Sequence, residues 1–253
     1  MNRESQALIE LSEDLKLIND IDLFWGRITD ELANFGVTSL MYGAIASKLE
    51  AKTKGINEAI FIKTNHPQLY FEGLDDKADL GNVLDNDLSV EHCVNSSLPM
   101  IWHEEPDWVI ATKKQKQDWF ASDELGFQVG ITVPTTALNL NGIGGTGLCA
   151  GELNPEEFDQ MWLEKNTYIM QILGLLDAGM REQYFKEIIG LSPREAEVLV
   201  WLANGFRPEQ IAHRLNIGYR TVDKYINNAK RKLNAKTRDQ AVAKALIFNA
   251  IEP

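Results

Sequence analysis

Leu191-Ser-Pro-Arg-Glu195 is the stretch that decides the fold of the C-terminal part of this 253-residue chain. Ser192 can cap a helix that begins at Pro193, and Glu195 can reach back to complete a capping box. Apolar residues follow at helical spacing, and Asn204-Gly205 has the character of a C-cap. The stretch therefore predicts the first helix of a small helical unit.

Two further helices are predicted after this one. The second begins at Pro208, and Asn216-Ile-Gly218 forms a tight turn before the third, which runs from about Tyr219 to Leu233. The third helix has an apolar stripe on one side and a polar, basic face on the other. Two helices joined by a glycine-containing turn, the second basic outside, are typical of a helix-turn-helix with its recognition helix. The residues predicted to contact DNA are Arg207, Arg220, Thr221, Lys224, Asn227, Asn228 and Arg231.

The distribution of charge supports the same division of the chain. From Glu187 onward there are 11 Lys and Arg against 7 Asp and Glu, whereas the preceding 186 residues hold 14 against 30. A basic module attached to an acidic chain is expected of a DNA reader. The basic excess alone would also fit an ordinary solvated surface, so the helix pattern carries more of the inference.

The motifs of this segment resemble the LuxR-type helix-turn-helix. The resemblance extends from Leu191 to Ala245 and includes the opening pentapeptide, Gln210-Ile-Ala212, Thr221-Val222 and the run from Lys230 to Leu233. Three positions depart from the usual pattern: Arg207 and Gly218 stand where a Ser or Thr cap is common, and Tyr225 stands where His is common. The resemblance implies double-stranded DNA as a partner, and RNA polymerase is a candidate further partner.

Residues 1–186 alternate between helical and strand-like patterns. Strand candidates in mid-chain, flanked by helices, predict an α-β-α sandwich, so the whole chain is predicted to be α+β with a C-terminal four-helix domain. The predicted helices cover residues 8–34, 87–97, 113–125 and 155–186, and the predicted strands 39–46, 59–63, 101–102, 129–133, 135–140 and 146–153. In the first helical stretch the expected buried residues are Leu11, Leu15, Ile18, Leu23, Phe24 and Leu32.

Two segments of this first domain resemble the acyl-homoserine-lactone sensor of quorum-sensing regulators. They are Asp87 to Trp102 and Gly126 to Pro134. The resemblance divides the chain into a ligand-sensing and dimerisation domain, residues 1–186, and a DNA-binding domain, residues 187–253. It also implies that Asp87 accepts a hydrogen bond from the ligand amide and that Trp102 forms an aromatic wall. The predicted ligand-binding residues are His66, Tyr70, Asp87, Ser89 and Trp102.

The expected lactone contacts are partly replaced in this sequence. His66 stands in place of a Tyr that bonds the acyl carbonyl, and Tyr70 in place of a Trp that bonds the lactone carbonyl. Leu74 and Leu88 replace a further Tyr and a Pro. A phenol can donate as an indole does, and an imidazole can donate from either nitrogen. The favoured small-molecule effector is an N-acyl-homoserine lactone; the alternatives are another small molecule or a domain that folds without ligand.

An enzyme that processes a small molecule, with a regulatory helical domain, is the alternative from another class. No Ser-His-Asp or Cys-His arrangement supports it, so we do not expect an enzyme. His92, Cys93 and His103 lack the spacing of metal ligands, and no cofactor is expected. The glycine-rich run Gly142 to Gly147 is predicted to be a hairpin turn, because a phosphate-binding loop needs a following helix.

The oligomeric state and the cellular location of the protein can also be predicted from the sequence. The apolar residues between Phe158 and Met180 exceed what one sheet face needs. This helix is predicted to pack on the sheet, and the resemblance implies that part of its surface also pairs with a second subunit, giving a homodimer. No signal peptide, no apolar stretch near 20 residues and only two cysteines are found, so a cytoplasmic protein without membrane contact is expected.

Overall fold

The computed structural model describes residues 3–45, 61–66, 87–104, 111–124, 127–138 and 143–253. The chain forms two compact units, Met1–Asp177 and Ala178–Pro253. The boundary expected between residues 186 and 187 stays a prediction. Among the described residues, no helix is long and apolar enough to cross a membrane.

The N-terminal unit is built on an antiparallel sheet of five strands in the order β2-β1-β5-β4-β3. The strands are β1 (Ser39–Ile45), β2 (Phe61–Thr64), β3 (Met100–Ile101), β4 (Gly130–Pro134) and β5 (Ile143–Cys149). The helices are α1 (Arg3–Leu17), α2 (Ile21–Ala33), α3 (Leu88–Asn95), α4 (Lys113–Glu124) and α5 (Pro155–Gly179). The C-terminal unit begins with a π-helical turn (Met180–Tyr184) and α6 (Phe185–Ile189).

Each face of the sheet is covered by helices, which confirms the predicted sandwich. On one face, Tyr42 is buried and donates a 2.7 Å hydrogen bond to Asp177 of α5. On the other face, Ile45 packs in a cluster with Val90 and Val94 of α3. Successive side chains of a strand point to opposite faces, so Tyr42 and Ile45 belong to different layers.

Three local predictions are wrong. Residues Thr135–Leu138 form a 3-10 helix rather than a strand, because the chain turns after Pro134 on its way to the antiparallel neighbour β5. Leu23 is 68% exposed, since the buried stripe of α2 runs through Phe24, Ile28 and Leu32, one residue further along. Residues 143–147 are not a hairpin turn: they lie within β5, which pairs with β1 and β4 on its two sides.

The C-terminal unit contains four further helices, as predicted. They are α7 (Pro193–Ala203), α8 (Pro208–Leu215), α9 (Tyr219–Lys232) and α10 (Arg238–Ile247). The predicted capping box is present: Glu195 N donates to Ser192 Oγ at 3.3 Å, and Ser192 N donates to Glu195 Oε2 at 2.8 Å. The core of this unit consists of Val198, Ile211, Ala212, Val222 and Ile226, from three of the helices.

Candidate DNA-reading helix and ligand pocket

Helix α9 presents its polar face to solvent. Val222, Ile226 and Ala229 form its buried stripe. The predicted DNA-contact residues Arg207, Arg220, Lys224, Asn227 and Arg231 are exposed, while Thr221 and Asn228 are half-buried. The six of these residues that belong to α9 lie outside its buried stripe, so the helix can present them to a duplex without unfolding.

The start of α9 is fixed by the turn after α8. Asn216 adopts the left-handed conformation with φ 52°, and Ile217 N donates to Ala212 O at 3.0 Å. An asparagine tolerates this conformation better than most residues, which explains its place in the turn. The turn fixes the angle between the two helices of the helix-turn-helix.

The end of α9 is tied to the first helix of the same unit. Lys232 Nζ lies 2.7 Å from Glu195 Oε2 and donates to Gly190 O at 2.6 Å. Burial would raise the pKa of Glu195, but the hydrogen bonds from Lys232 and Ser192 outweigh it and hold that pKa below its ordinary value. A charged, hydrogen-bonded pair at the end of α9 limits its rotation against α7.

A second candidate site lies in the N-terminal unit, on the sheet face that α3 covers. In the register of the sheet, Gly147 of β5 lies between Met41 of β1 and Thr132 of β4. A Cβ atom added at Gly147 would lie 3.3 Å from Cζ2 of Trp102, and one at Gly145 would overlap Sγ of Cys93 on α3. These glycines therefore allow an indole and a helix to approach the sheet backbone closely.

Trp102 lies across this glycine floor. Its Nε1 donates a 2.8 Å hydrogen bond to Thr132 Oγ1, and its ring lies 6.4 Å from that of Phe127. Because the indole N–H already has a partner on the sheet, the ring offers mainly its apolar surface to the groups beside it.

His66 lies on the same face, beyond the end of β2. Its Nδ1 is 2.6 Å from Ser39 Oγ, and its ring makes an edge contact with Phe127, with centroids 4.8 Å apart. Burial lowers the pKa of His66 to about 4, so the ring is neutral at neutral pH. A neutral imidazole can offer one donor and one acceptor.

Asp87 and Ser89 lie at the beginning of α3. Asp87 is the N-cap of this helix, and its Oδ1 accepts a 2.7 Å hydrogen bond from Ser89 N. Val90 and Val94 follow Asp87 at helical spacing and pack toward the sheet, which places Asp87 on the inward side of α3. A carboxylate can accept several hydrogen bonds, so capping leaves Asp87 able to accept one from a ligand.

The structure brings four of the five predicted ligand residues to one layer of the fold. Tyr70, like Leu74, lies outside the described residues, so its role stays a prediction. Ser39, Phe127 and Thr132 were not predicted as members of the site. Strand alternation could have pointed to Ser39, which lies two residues from Met41 on the same face. Among the described residues, no group of His, Cys, Asp and Glu could hold a metal ion.

Family comparisons match a segment of each unit. Residues 190–245 match the family of bacterial regulatory proteins of the luxR type, and residues 20–176 match the autoinducer binding domain. A quorum-sensing-dependent transcriptional regulator of Brucella abortus, VjbR, is 31% identical over 125 residues, which are 48% of each chain. The match thus spans about half the length of this curated relative. The transcriptional activator LuxR of Aliivibrio fischeri is 26% identical over 200 residues, 78% of this chain and 77% of that protein.

Solved structures show the same fold. The crystal structure of SdiA from Escherichia coli matches with a TM-score of 0.55 and 18% identity, covering 99% of this chain and 98% of that one. SdiA in complex with octanoyl-rac-glycerol matches with a TM-score of 0.55 and 17% identity, covering 98% and 96%. With an autoinducer-binding domain followed by its helix-turn-helix, this chain belongs to the LuxR family of bacterial transcriptional regulators.

Proposed function

We propose that this protein is a transcription regulator that binds an inverted-repeat operator as a homodimer under the control of a small ligand. DNA binding is supported mainly by the exposed polar face of α9. Hydrogen bonds to the rest of the C-terminal unit hold both ends of this helix. In such motifs, side chains near the start of the recognition helix contact base edges while other cations contact phosphates.

The homodimer is supported by helix α5. Leu163 is 73% exposed, and the neighbouring Met161 and Trp162 are half-buried, so this part of the helix leaves apolar surface uncovered. A two-fold dimer would place two copies of α9 about one helical turn of DNA apart, roughly 10 base pairs. RNA polymerase as a partner and a cytoplasmic location stay predictions.

The proposed ligand is an N-acyl-homoserine lactone. The lactone amide N–H needs an acceptor, which Asp87 supplies, and the ligand carbonyls need donors, which His66 and Tyr70 can supply. The acyl chain needs apolar walls, for which Trp102 and the neighbouring Phe127 are suited. What supports this ligand is that Asp87, His66 and Trp102 lie in one layer of the fold.

An acylglycerol is the second candidate ligand. SdiA is the protein of the octanoyl-rac-glycerol complex, and it shares the fold of this chain. A glycerol ester lacks the amide N–H, but its hydroxyl groups can donate to Asp87. His66 and Tyr70, which differ from the family pattern, would distinguish a lactone headgroup from a glycerol headgroup.

Control by the ligand would follow from linkage. A ligand that binds only the folded sensor stabilises it, and a stabilised sensor holds two DNA-binding units as a pair. At a ligand concentration of about 100 times Kd the gain would be about 2.7 kcal/mol. For a domain of this size that corresponds to a rise in Tm of roughly 5–10 °C.

Thermal unfolding with added ligand tests this proposal. N-acyl-homoserine lactones of graded chain length and octanoylglycerol should be compared on the full chain. We expect one series to raise Tm in a concentration-dependent way, and Asp87→Ala to abolish the rise. Asp20→Ala is the matched control, because Asp20 caps α2 with hydrogen bonds from Asp22 N and Leu23 N.

Both substitutions remove an N-cap, each at a cost of about 0.5–2 kcal/mol. Only the change at Asp87 should remove the response to ligand. If Tm is unmoved by every compound tested, or if the Asp87 and Asp20 variants respond equally well, the ligand assignment is wrong.

A further inference from the structure

The recognition helix carries one acidic residue on its exposed face. Within Tyr219–Lys232 there are five Lys and Arg residues, and Asp223 is the one acidic residue. It is exposed and lies one helical turn from both Arg220 and Asn227, at one edge of the face proposed to meet DNA. Phosphates repel a carboxylate at such a position, whereas a hydrogen-bond donor on a base edge would favour it.

A neighbouring amide holds this carboxylate. Asn227 Nδ2 donates a hydrogen bond to Asp223 Oδ2 at 3.2 Å. Residues four apart lie on the same side of a helix, so the two side chains form one polar unit that faces outward. The hydrogen bond restricts the rotamers of Asp223 before DNA arrives, which lowers the entropy cost of a specific contact.

The major groove offers a carboxylate two kinds of donor, the N4 amine of cytosine and the N6 amine of adenine. In adenine the acceptor N7 lies beside N6, so the second carboxylate oxygen would face a lone pair. Cytosine has no acceptor of its own beside N4 in this groove. Its guanine partner presents O6 and N7, which suit cationic donors such as Arg220 or Lys224 on the same face.

We infer that Asp223, held by Asn227, is a specificity-determining residue that accepts a hydrogen bond from cytosine N4 in each half-site. This inference rests on the proposed DNA reading by α9 and adds the base that is read. A neighbouring cation that binds the paired guanine would complete recognition of one C·G pair.

Selection from a random double-stranded DNA library tests the inference. The full chain would be used with and without octanoyl-homoserine lactone, comparing wild type with Asp223→Ala and Asp223→Asn. The wild type should enrich a motif with one position at which cytosine is preferred by about tenfold or more. Asp223→Ala should reduce that preference to about twofold or less at the same position only, and Asp223→Asn should shift it toward adenine, which an amide reads through N6 and N7.

Asp239→Asn is the control, because Asp239 is an exposed acidic residue on α10 and its removal changes the net charge equally. It should leave the motif unchanged. The role of Asp223 would be overturned if the base preferences of the wild-type motif survive Asp223→Ala, or if this variant binds all sequences more tightly to the same extent. Either result would leave the proposed DNA reading by α9 standing. If the wild type enriches no sequence in either condition, the proposed DNA reading fails, and the inference fails with it.

Discussion

The close approach of α3 to the sheet predicts a specific cost for a methyl group at Gly145. A Cβ there would overlap Cys93 Sγ and lie 3.2 Å from Val133 O, so Gly145→Ala forces α3 away from β5. Overpacking of this kind costs about 1–3 kcal/mol. The lower entropy of the unfolded alanine chain offsets about 0.5–1 kcal/mol, which leaves a net loss of about 0.5–2 kcal/mol.

A double-mutant cycle in urea measures this effect. Tryptophan fluorescence reports on the N-terminal unit, since five of the six tryptophans precede residue 177. Cys93→Ala removes the sulfur that Gly145→Ala would meet, so the double variant should be more stable than the sum of the single changes predicts, by about 1 kcal/mol. Gly26→Ala, where no atom lies within 4 Å of the added Cβ, should instead stabilise the protein by about 0.5–1 kcal/mol.

The same displacement should weaken the ligand response, because Asp87 lies at the beginning of α3. Additive effects of Gly145→Ala and Cys93→Ala, or a Gly145→Ala variant as stable as wild type, would refute the packing of α3 on the glycine floor.

Three further predictions follow from the two sites. The pKa of His66 is about 4 in the folded protein and about 6.5 when unfolded, so the unfolded chain binds more protons between these values. Acidification from pH 6.5 toward 4 should therefore destabilise the sensor by up to about 3 kcal/mol. His66→Gln should lose that part of the pH dependence of Tm, and an identical slope of Tm against pH in the variant would contradict this prediction. Lys224→Ala or Asn228→Ala should weaken operator binding by about 1–3 kcal/mol if either reads a base, and binding by the wild type should weaken steeply as salt is added. An affinity that does not depend on salt and is unchanged by both substitutions would contradict the assignment of α9 as the recognition helix. Sedimentation at micromolar concentration should show two chains, and Leu163→Glu should shift the protein toward monomer, whereas a wild-type monomer that binds one half-site as tightly as the full repeat would exclude the dimer.

The recognition helix could be predicted closely from sequence because its determinants are local. Ser192, Glu195 and Gly218 mark helix ends within a few residues, and the spacing of Val222 and Ile226 fixes which side is buried. The outward face then follows directly. No long-range pairing is needed to place these side chains, and the predicted buried stripe of α9 is the one observed.

The candidate ligand site could be predicted only in part, because the contacts between its residues depend on strand register. Ser39 meets His66 across 27 residues, and Trp102 meets Thr132 across 30. Neither pair has a local signal. The glycines of β5 favour a turn in isolation, and only the pairing of Gly145 and its neighbours with β1 and β4 holds them in a strand.

The central claim is that a small ligand controls DNA binding by this chain. It is tested most directly by the affinity of the 253-residue chain for its selected inverted repeat, measured by fluorescence anisotropy as the lactone that raises Tm is titrated. We predict that affinity rises by about tenfold or more, as coupling of 1–3 kcal/mol between two sites allows. The rise should reach its midpoint at the ligand concentration that half-saturates the sensor. Equal affinity with and without ligand, in a protein whose Tm does respond, would contradict the claim.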